Sequence, residues 1–431
     1  MKHESLAAWL QWLEQQHSKE IDMGLSRVAE VAARLQLTPQ FHASSKVVTV
    51  AGTNGKGSFV TTLQTLLLAQ GKSVASYTSP HLLTFNERMV INGVMASDEQ
   101  IMQAFELVYA ALEDTSLSYF EYTTLAAMVL FQQQNVEYCI FEVGLGGRLD
   151  AVNILPPDYA VITSIGIDHC DYLGDTLEAI AAEKCGILRE NTPLICAEAQ
   201  APKFLQEACN HHPSAVINDD FCYQYLPASA NENQQWQYSN KHTHTDYGPL
   251  PDNGLSLSSQ AAALYFVEQT LGLGLTQPVL DSLHALSLAG RFQRFQKEGV
   301  EIVLDVAHNV QAVSLLKQRL ALHLPLAQGK KRIAVFAMLK DKDVTQVIGL
   351  LKDDIAAWFV GDLKHERALA VTDLANIVHE QGIHMISVSK NMRQAFARAQ
   401  SLCEPGDQIV VLGSFFTVAE ILPKLEHAKR H

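Results

Sequence analysis

Short apolar runs alternate with amphipathic stretches along almost the whole chain of 431 residues. This alternation is typical of βαβ units, in which parallel strands are joined by helices that cover the sheet. A first series of buried strands is expected at 46–51, 73–77, 138–143, 159–165 and 192–197, with helices at 58–70 and 176–188. A second series is expected after the turn at Gly290, at 301–306, 332–338, 357–360, 384–388 and 408–412. The pattern predicts an α/β protein of two parts.

Composition and charge exclude several classes of protein. Hydrophobic residues make up 48% and charged residues 18% of the chain, which excludes a disordered protein. Lys and Arg number 32 against 46 Asp and Glu, a net charge of −14. Proteins whose main ligand is nucleic acid or anionic lipid usually carry the opposite sign. We therefore expect neither nucleic-acid nor membrane binding.

The seven cysteines include no C-x-x-C pair, and no apolar stretch reaches the length of a membrane span. The N-terminal segment carries charges at helical spacing and has no apolar core typical of a secretory signal. These features predict a soluble, cytoplasmic protein with reduced cysteines.

A polar stretch at 228–253 interrupts the α/β pattern and is interpreted as a surface loop or a short-strand excursion. Its His242 and His244 are expected to be solvated, because no carboxylate or cysteine lies at ligand spacing.

The segment AGTNGKGS, residues 51–58, lies between an expected strand and an expected helix. Gly52, Gly55 and Gly57 permit a tight turn, and Lys56 and the helix N-terminus favour an anion. The strict pattern G-x-x-x-x-G-K-[ST] is not met, because Val50 occupies its first glycine position and Gly57 follows Lys56. The alternative is a structural glycine turn. We expect a phosphate-binding loop.

These features together predict an N-terminal P-loop-type ATPase domain at 1–289 with a mainly parallel sheet. A hinge is expected at 290–297, and a smaller Rossmann-like α/β domain at 298–431.

Polar side chains follow three of the expected strands. Glu142 ends one strand, Asp168 and His169 follow another, and Ser79 follows a third. Parallel sheets bind ligands at the carboxyl ends of their strands, and oxygen and imidazole groups are possible ligands of Mg²⁺. A cap or loop anchor is the alternative for each residue taken singly.

Lys184 lies on the apolar stripe of its expected helix, four residues from Ile180 and from Leu188. Its side chain could extend along the apolar surface to water. The alternative is a buried lysine that reacts with CO₂ to form a carbamate, an anion able to help hold Mg²⁺.

The assembled motifs resemble the dihydrofolate synthase/folylpolyglutamate synthase family of the Mur ligase superfamily. The matching segments occur in the family's order over almost the whole chain: HSKEIDMGLSRV, TVAGTNGKGS, TSPHLLTFNERMVING, SYFEYTT, FEVGLGGRLDAVN, ITSIGIDHCDYLGDTLEAIAAEKCGI, AGRFQ, LDVAHN and VLGSFFTVAEI. The resemblance implies a cytoplasmic, monomeric ligase that uses ATP, one or two Mg²⁺ ions and a K⁺ ion.

The resemblance also implies roles for individual residues. The implied nucleotide contacts are Thr53, Asn54, Gly55, Lys56, Gly57, Ser58, Gln260, Arg291 and Asp305. The implied Mg²⁺ ligands are Ser79, Glu142 and His169, with Lys184 as the carbamate. The implied pterin contacts are Asp22, Met23, Gly24, Tyr119, Phe120, Glu121, Tyr122, Leu149, Asp150 and Ala151. Lys56, Lys184, His169 and His308 are the candidate catalytic residues, and for His308 both a structural role and direct participation stay open.

Three departures from the family pattern bear on the geometry of the site. Gln260 replaces a common Asn, AHNVQA replaces AHNPHA, and AGRFQ replaces PGRFQ.

The implied reaction joins L-glutamate to dihydropteroate and to reduced folates. ATP phosphorylates the acid to an acyl phosphate, and the amine of glutamate then displaces phosphate while the second domain closes over the nucleotide. The alternatives are a peptidoglycan-type Mur ligase and an NTP-hydrolysing switch without ligation.

Overall fold

The computed structural model describes residues 3–17, 22–37, 41, 44–227 and 234–429. The chain divides into two compact units. The first comprises Met1–Gly166 and Asp171–Leu286, and the second comprises Ile167–Cys170 and Ser287–His431. No sequence feature indicated that the short segment Ile167–Cys170 would group with the second unit.

The first unit is built on a mainly parallel sheet. Its strands are β1 (Lys46–Ala51), β2 (Val74–Tyr77), β3 (Met89–Ile91), β4 (Val94–Met95), β5 (Tyr138–Glu142), β6 (Tyr159–Ile162), β7 (Leu194–Cys196) and β8 (Ser214–Val216). Over the described residues their order is β4-β3-β2-β5-β1-β6-β7-β8. Neighbouring strands pair in parallel from β2 through β5, β1, β6 and β7 to β8. Strands β3 and β4 pair antiparallel and form one edge of the sheet.

Strand β1 lies at the centre of this sheet, between β5 and β6. Its residues 47–51 are buried. A strand covered on both faces needs a continuous apolar run, which is why KVVTVA shows no alternation. The expected strand at 46–51 is confirmed, whereas the one expected at 159–165 ends at Ile162 because the residues after it form loop contacts.

Helices connect these strands and follow them. They are α1 (Leu6–Gln16), α2 (Ser26–Arg34), α3 (Lys56–Ala69), α4 (Asp98–Leu112), α5 (Tyr119–Gln134), α6 (Cys170–Leu173), α7 (Leu177–Cys185), α8 (Lys203–His211), α9 (Leu257–Tyr265) and α10 (Gln277–Asp281). Short 3₁₀ helices span Phe85–Arg88, Ala151–Ile154 and Ser282–Ala285. Helix α5 begins with a capping box, in which Ser118 and Glu121 bond each other's backbone N–H.

The polar stretch at 228–253 contributes to a small antiparallel sheet, apart from residues 228–233, which lie outside the described residues. This sheet consists of β9 (Phe221–Tyr225), β10 (Gln235–Asn240) and β11 (Thr245–Pro251), in the order β11-β10-β9. His242 and His244 are exposed, as expected. The sequence did not reveal that Asp220, distant in sequence, accepts a hydrogen bond from His242 Nε2 at 2.7 Å.

One carboxylate joins this small sheet to the rest of the first unit. Glu268 lies in a π-helical turn, Phe266–Thr270, that continues α9. Its oxygens accept hydrogen bonds from Tyr238 at 3.1 Å, Asn240 at 2.7 Å and Tyr247 at 2.6 Å. The π-helical turn thus anchors both β10 and β11.

The second unit has its own sheet, composed of β12 (Gln293–Lys297), β13 (Val300–Leu304), β14 (Arg332–Phe336), β15 (Ala357–Gly361), β16 (Ile386–Ser389) and β17 (Gln408–Leu412). The order over the described residues is β12-β13-β17-β14-β15-β16, antiparallel only between β12 and β13. Its helices are α11 (Val310–His323), α12 (Val344–Leu351), α13 (Val371–Glu380), α14 (Met392–Ser401) and α15 (Phe415–Lys429). The expected α/β class is confirmed. The segment 290–297, expected to be a hinge, contains strand β12.

None of the helices in the described ranges is long and apolar enough to cross a bilayer.

Candidate active site

The segment 52–58 forms a glycine turn between β1 and α3. Gly55 precedes α3 with φ +86°, in the left-handed region that favours glycine. A Cβ at Gly55 would lie 2.5 Å from Ser259 Oγ, and one at Gly52 would lie 1.9 Å from Thr163 Oγ1. Both positions therefore exclude a side chain. The helix begins at Lys56, two residues earlier than the sequence predicted. The N-terminal N–H groups of α3 therefore follow the glycine turn directly.

Residues after β6 hold this turn in place. Asn54 N–H donates to Ser164 Oγ at 2.9 Å, and the Thr163 and Ser164 hydroxyls donate to Asn54 O at 2.8 and 3.0 Å. Thr53 N–H donates to Ser164 O at 2.8 Å. The sequence analysis missed Thr163 and Ser164, although hydroxyl residues in the apolar run YAVITSI were a signal.

The Lys56 ammonium lies over its own loop. Nζ donates to Gly52 O at 2.9 Å and is 4.0 Å from Glu142 Oε1. Register explains this proximity, because Glu142 of β5 pairs with Val50 of β1. The turn thus combines a lysine, the N-terminus of a helix and a neighbouring buried carboxylate, an arrangement suited to a phosphate chain and a cation.

The carboxyl ends of β5 and β2 supply two of the predicted metal ligands. Glu142 is 6% exposed, and Ser79 follows β2, the neighbour of β5. No group of three or more His, Cys, Asp or Glu side chains able to hold a metal ion occurs in the described part of the chain. Mg²⁺ is commonly bound by one or two carboxylates together with phosphate oxygens and water. A buried carboxylate beside the phosphate loop fits such an ion.

The third predicted ligand, His169, belongs to the segment of the second unit at Ile167–Cys170. Lys342 Nζ donates to Asp168 Oδ1 at 2.5 Å and lies 3.3 Å from His169 Nε2. Asn309 Nδ2 donates to Asp168 Oδ2 at 3.1 Å, and His308 Nε2 lies 3.5 Å from the same oxygen. The sequence analysis missed Lys342, because its contact with Asp168 joins residues that are distant in sequence.

Electrostatics in this cluster favour a neutral imidazole and a charged carboxylate. Burial, then the positive charge of Lys342, lowers the pKa of His169 to about 4. For Asp168, burial opposes ionisation, but the hydrogen bond with His308 and the charge of Lys342 outweigh it and hold the pKa of its carboxyl well below the usual range. His308 Nδ1 lies 2.8 Å from Val306 O, so both of its ring nitrogens lie close to protein groups.

Lys184 is 4% exposed, near the end of α7. The expectation that it extends to water is therefore wrong, because the side chain is enclosed. Gly147 packs against this end of α7, since a Cβ there would lie 2.7 Å from Glu183 O. The glycine loop after β5 and the buried lysine are thus neighbours.

Two acidic residues predicted to contact a pterin are already engaged with protein groups. Arg27 forms an ion pair with Asp22 at 2.9 Å and donates to Glu121 Oε1 at 3.0 Å. His17 Nε2 also lies 3.0 Å from Asp22 Oδ2, and Glu121 Oε2 accepts the Ser118 N–H at 2.7 Å. These contacts fix the start of α2 on the start of α5. Glu121 is 3% exposed, which gives its carboxylate a structural role.

The remaining predicted pterin residues of this region differ in burial. Tyr122 is a core residue whose hydroxyl donates to Phe105 O at 2.7 Å. Phe120 lies over Gly144, where a Cβ would be 2.6 Å from its ring, and the Met23 methyl lies 3.5 Å from a Cβ position at Gly146. Tyr119 and Gly24 are partly exposed. Phe120 and Met23 thus contact the glycine loop from different elements.

Asp150 organises the glycine loop from within. Its Oδ2 accepts the N–H groups of Gly144 at 3.0 Å and Leu145 at 2.9 Å, and its Oδ1 accepts Val152 N–H at 3.0 Å. Burial raises the pKa of this carboxyl to about 6, against the effect of these hydrogen bonds. Ala151 is buried at the start of the 3₁₀ helix, and Leu149 is half-buried.

The predicted nucleotide contact Gln260 is fully buried in α9. Its Oε1 accepts a hydrogen bond from Asn253 Nδ2 at 3.2 Å, and its Nε2 donates to Leu255 O at 3.4 Å. The longer side chain is thus used to fix the loop before α9.

In the second unit, Asp305 fixes the segment around Arg291. Its two oxygens accept Phe292 N–H and Ala307 N–H, each at 2.8 Å. The Arg291 guanidinium lies 4.9 Å from the centre of the Phe415 ring. Burial raises the pKa of the Asp305 carboxyl.

Replacing Gly55 with Ala should weaken ATP binding for two reasons. The alanine would have to adopt the left-handed backbone conformation, which costs about 1–2 kcal/mol, and its Cβ would collide with Ser259 Oγ. Gly71→Ala is the matched control, since Gly71 has φ +74° with nothing within 4 Å of its Cβ position. Calorimetric titration with ATP should show weaker binding only for Gly55→Ala. Equal affinities for the two variants would contradict this account of the loop.

The carboxyl of Asp150 should titrate near pH 6. Unfolded Asp loses its proton near 3.8, so between these values the folded chain binds more protons and the free energy of unfolding falls as pH rises. The contribution of Asp150 is about 3 kcal/mol. Urea unfolding at pH 4 and pH 7 should show this loss for the wild type and not for Asp150→Asn. The same pH dependence in both proteins would contradict the prediction.

Two family models match the chain. The Mur ligase middle domain matches residues 50–250, and the glutamate ligase domain of Mur ligases matches residues 290–415.

Full-length relatives and solved structures agree with these matches. The dihydrofolate synthase/folylpolyglutamate synthase of Escherichia coli K12 is 35% identical over 423 residues, covering 98% of this chain and 96% of that protein. The Haemophilus influenzae protein of the same name is 37% identical, covering 98% of each. Escherichia coli FolC in complex with DHPP and ADP superposes with a TM-score of 0.88 at 34% identity, covering 99% of each chain. A bifunctional folylpolyglutamate synthase/dihydrofolate synthase with Mn, AMPPNP and L-glutamate bound has a TM-score of 0.86 at 36% identity, covering 98% of each. The chain therefore belongs to the dihydrofolate synthase/folylpolyglutamate synthase family of Mur ligases.

Proposed function

We propose that this chain is an ATP-dependent ligase that joins L-glutamate to dihydropteroate and to reduced folates through an acyl phosphate. The observation that carries the proposal is the position of Lys56 in the phosphate loop. Its Nζ lies 4.0 Å from the buried Glu142, at the carboxyl ends of the parallel strands. The names of the full-length relatives support the substrate class. They disfavour both a peptidoglycan-type ligase and an NTP-hydrolysing switch.

The first step would transfer the γ-phosphoryl group of ATP to the substrate acid. A carboxylate oxygen attacks phosphorus, the bond to ADP breaks, and the acid becomes an acyl phosphate. Charge builds on the transferred oxygens, and Lys56 with the N–H groups at the start of α3 would neutralise part of it. Thr53, Asn54, Gly55, Gly57 and Ser58 are proposed to line the phosphate chain.

The second step would form the amide. The uncharged amine of glutamate attacks the acyl carbon, inorganic phosphate leaves with the bonding electrons, and the amine proton passes to solvent. Phosphate is a far better leaving group than oxide, which is why the acid must be activated first.

A magnesium ion, when bound, would supply positive charge to the phosphate oxygens. Ser79 and Glu142 are proposed as ligands in the first unit and His169 in the second. The lowered pKa of His169 supports this role, because metal ligation requires a neutral imidazole. A second Mg²⁺, a K⁺ ion, a monomeric state and a cytoplasmic location are parts of the same proposal that rest on family resemblance.

Lys184 is proposed to carry a carbamate. The enclosure of its side chain supports this, since burial disfavours an ammonium and a neutral amine can react with CO₂. Arg291 and Asp305 are proposed to act at the nucleotide, with Asp305 orienting the segment of Arg291, and His308 is proposed to orient Asp168.

The pterin is proposed to lie along Met23, Gly24, Tyr119 and Phe120, next to the loop around Leu149 and Ala151. Asp22, Glu121, Tyr122 and Asp150 would shape this surface through the contacts described above.

Mass spectrometry of products tests the proposed reaction. Dihydropteroate or tetrahydrofolate, each with ATP and L-glutamate, should gain one glutamyl residue or more. Phosphate release that needs neither acid nor glutamate would instead indicate a switch.

Lys56→Ala should abolish ADP formation in the presence of dihydropteroate and glutamate. A lost group of this kind commonly costs about 10²–10³ in rate. Lys72→Ala, which removes a surface lysine bonded to Glu137, serves as the control and should retain activity. Near-normal turnover by Lys56→Ala would refute the role of the loop.

Lys184→Ala should lose ligase activity and recover part of it when short carboxylic acids are added, because these can occupy the position of the carbamate. Lys203→Ala, at an exposed position in α8, should need no such addition. Full activity of Lys184→Ala without additives would exclude the carbamate.

A further inference from the structure

Arg88 is a buried cation that the proposed reaction has not yet used. It ends the 3₁₀ helix Phe85–Arg88 and is 8% exposed. Its Nε donates to His81 Nδ1 at 2.9 Å, and its guanidinium carbon lies 5.6 Å from the centres of both the Phe85 and the Tyr119 rings. The guanidinium is thus held by aromatic faces and one imidazole.

No carboxylate of the described residues forms an ion pair with Arg88. The adjacent Glu87 is oriented towards its own turn, where its oxygens accept the N–H groups of Leu82 at 2.6 Å and of Leu83 and Thr84 at 2.7 Å. The contact with His81 supplies no negative charge, because its Nδ1 only accepts the Nε–H of Arg88. Within the described ranges, Nη1 and Nη2 of Arg88 make no hydrogen bond to protein.

A buried charge without a counter-ion costs several kcal/mol, and the aromatic contacts offset only about 1–2 kcal/mol of this. The terminal nitrogens of Arg88 are not among the fully enclosed, unpaired side-chain atoms of the described residues, so water, or a ligand that displaces it, compensates the rest. A guanidinium with two terminal nitrogens available matches a carboxylate, which it can bind through two parallel hydrogen bonds.

Arg88 has neighbours in both groups of residues proposed to bind ligands in the first unit. Its carbonyl accepts the N–H of Thr78, the residue before the proposed metal ligand Ser79. Its guanidinium lies on Tyr119, in the proposed pterin segment. Arg88 thus contacts the proposed pterin segment through its side chain and the strand end before Ser79 through its backbone, and the acid group of the substrate has to lie near both.

We propose that Arg88 binds the carboxylate of the pterin acid and retains it as the acyl phosphate forms. This inference rests on the proposed function and names a binding residue that determines which acids are accepted. His81 Nδ1 accepts the Nε–H at 2.9 Å, which fixes the guanidinium and leaves its two terminal nitrogens for the ligand.

Arg88→Met removes the charge at similar length, and Arg88→Lys retains the charge without the planar pair of donors. The KM for dihydropteroate should rise about 10- to 100-fold in Arg88→Met and less in Arg88→Lys, while the KM values for ATP and L-glutamate stay within about twofold. A rise in the KM for glutamate alone would assign Arg88 to the amino acid and overturn the proposal.

Thermal unfolding without ligands separates binding from a structural role. Arg88→Met should melt no lower than the wild type, because it removes a buried charge that no carboxylate of the described residues neutralises. Arg34→Met is the matched control: Arg34 donates to Ala111 O, Leu112 O and Thr115 Oγ1, so its loss should lower the melting temperature without changing the KM for dihydropteroate. A lower melting temperature for Arg88→Met with unchanged kinetics would show that Arg88 is structural.

The effect of dihydropteroate on the melting temperature measures binding of the acid without requiring ligation. Dihydropteroate should raise the melting temperature of the wild type and not that of Arg88→Met. If the wild type binds the acid but ligates nothing, the proposed function fails while the role of Arg88 stands. Equal stabilisation of both proteins by dihydropteroate would refute the role of Arg88.

Discussion

The pairing of β1 with β5 is the constraint on which the candidate site depends. This register sets Glu142 opposite Val50, two residues before the first glycine of the phosphate loop. A parallel sheet brings the carboxyl ends of neighbouring strands to the same side of the sheet. A basic loop and a buried carboxylate that are distant in sequence therefore lie next to each other. The acidic net charge of the chain is compatible with phosphate binding because the positive groups are concentrated there.

Backbone N–H groups satisfy many of the acidic side chains near the site. Asp150, Asp305, Glu87 and Glu121 each accept hydrogen bonds from at least one backbone N–H in a turn or at a helix start. Through these hydrogen bonds the carboxylates fix the geometry of their loops. A motif match alone does not distinguish a residue that shapes a loop from one that touches the ligand, because both lie in the same short segment.

Periodicity and turn chemistry were sufficient to predict the α/β class and most strands from the sequence. Strand β1 and strand β17 were predicted with their observed bounds, since continuous apolar runs between polar turns have few alternatives. The apolar stripe of α7 identified Lys184, whose burial follows from its position on that stripe. Contacts distant in sequence could not be predicted in this way. Lys342 with Asp168 and Asp220 with His242 depend on tertiary pairing that local pattern does not encode.

The π-helical turn at Phe266–Thr270 has a consequence for how sequence length can vary in this protein. A π turn holds one residue more than the α-helical turn it replaces, and this extra residue sets the direction in which Glu268 projects. Deletion of a single residue there would restore an ordinary helix and rotate Glu268 by roughly 100° about the axis. The small antiparallel sheet would then lose its carboxylate anchor, although no residue of that sheet had changed. Related chains that lack this residue should also have a different partner for the tyrosines of β10 and β11, or no such sheet.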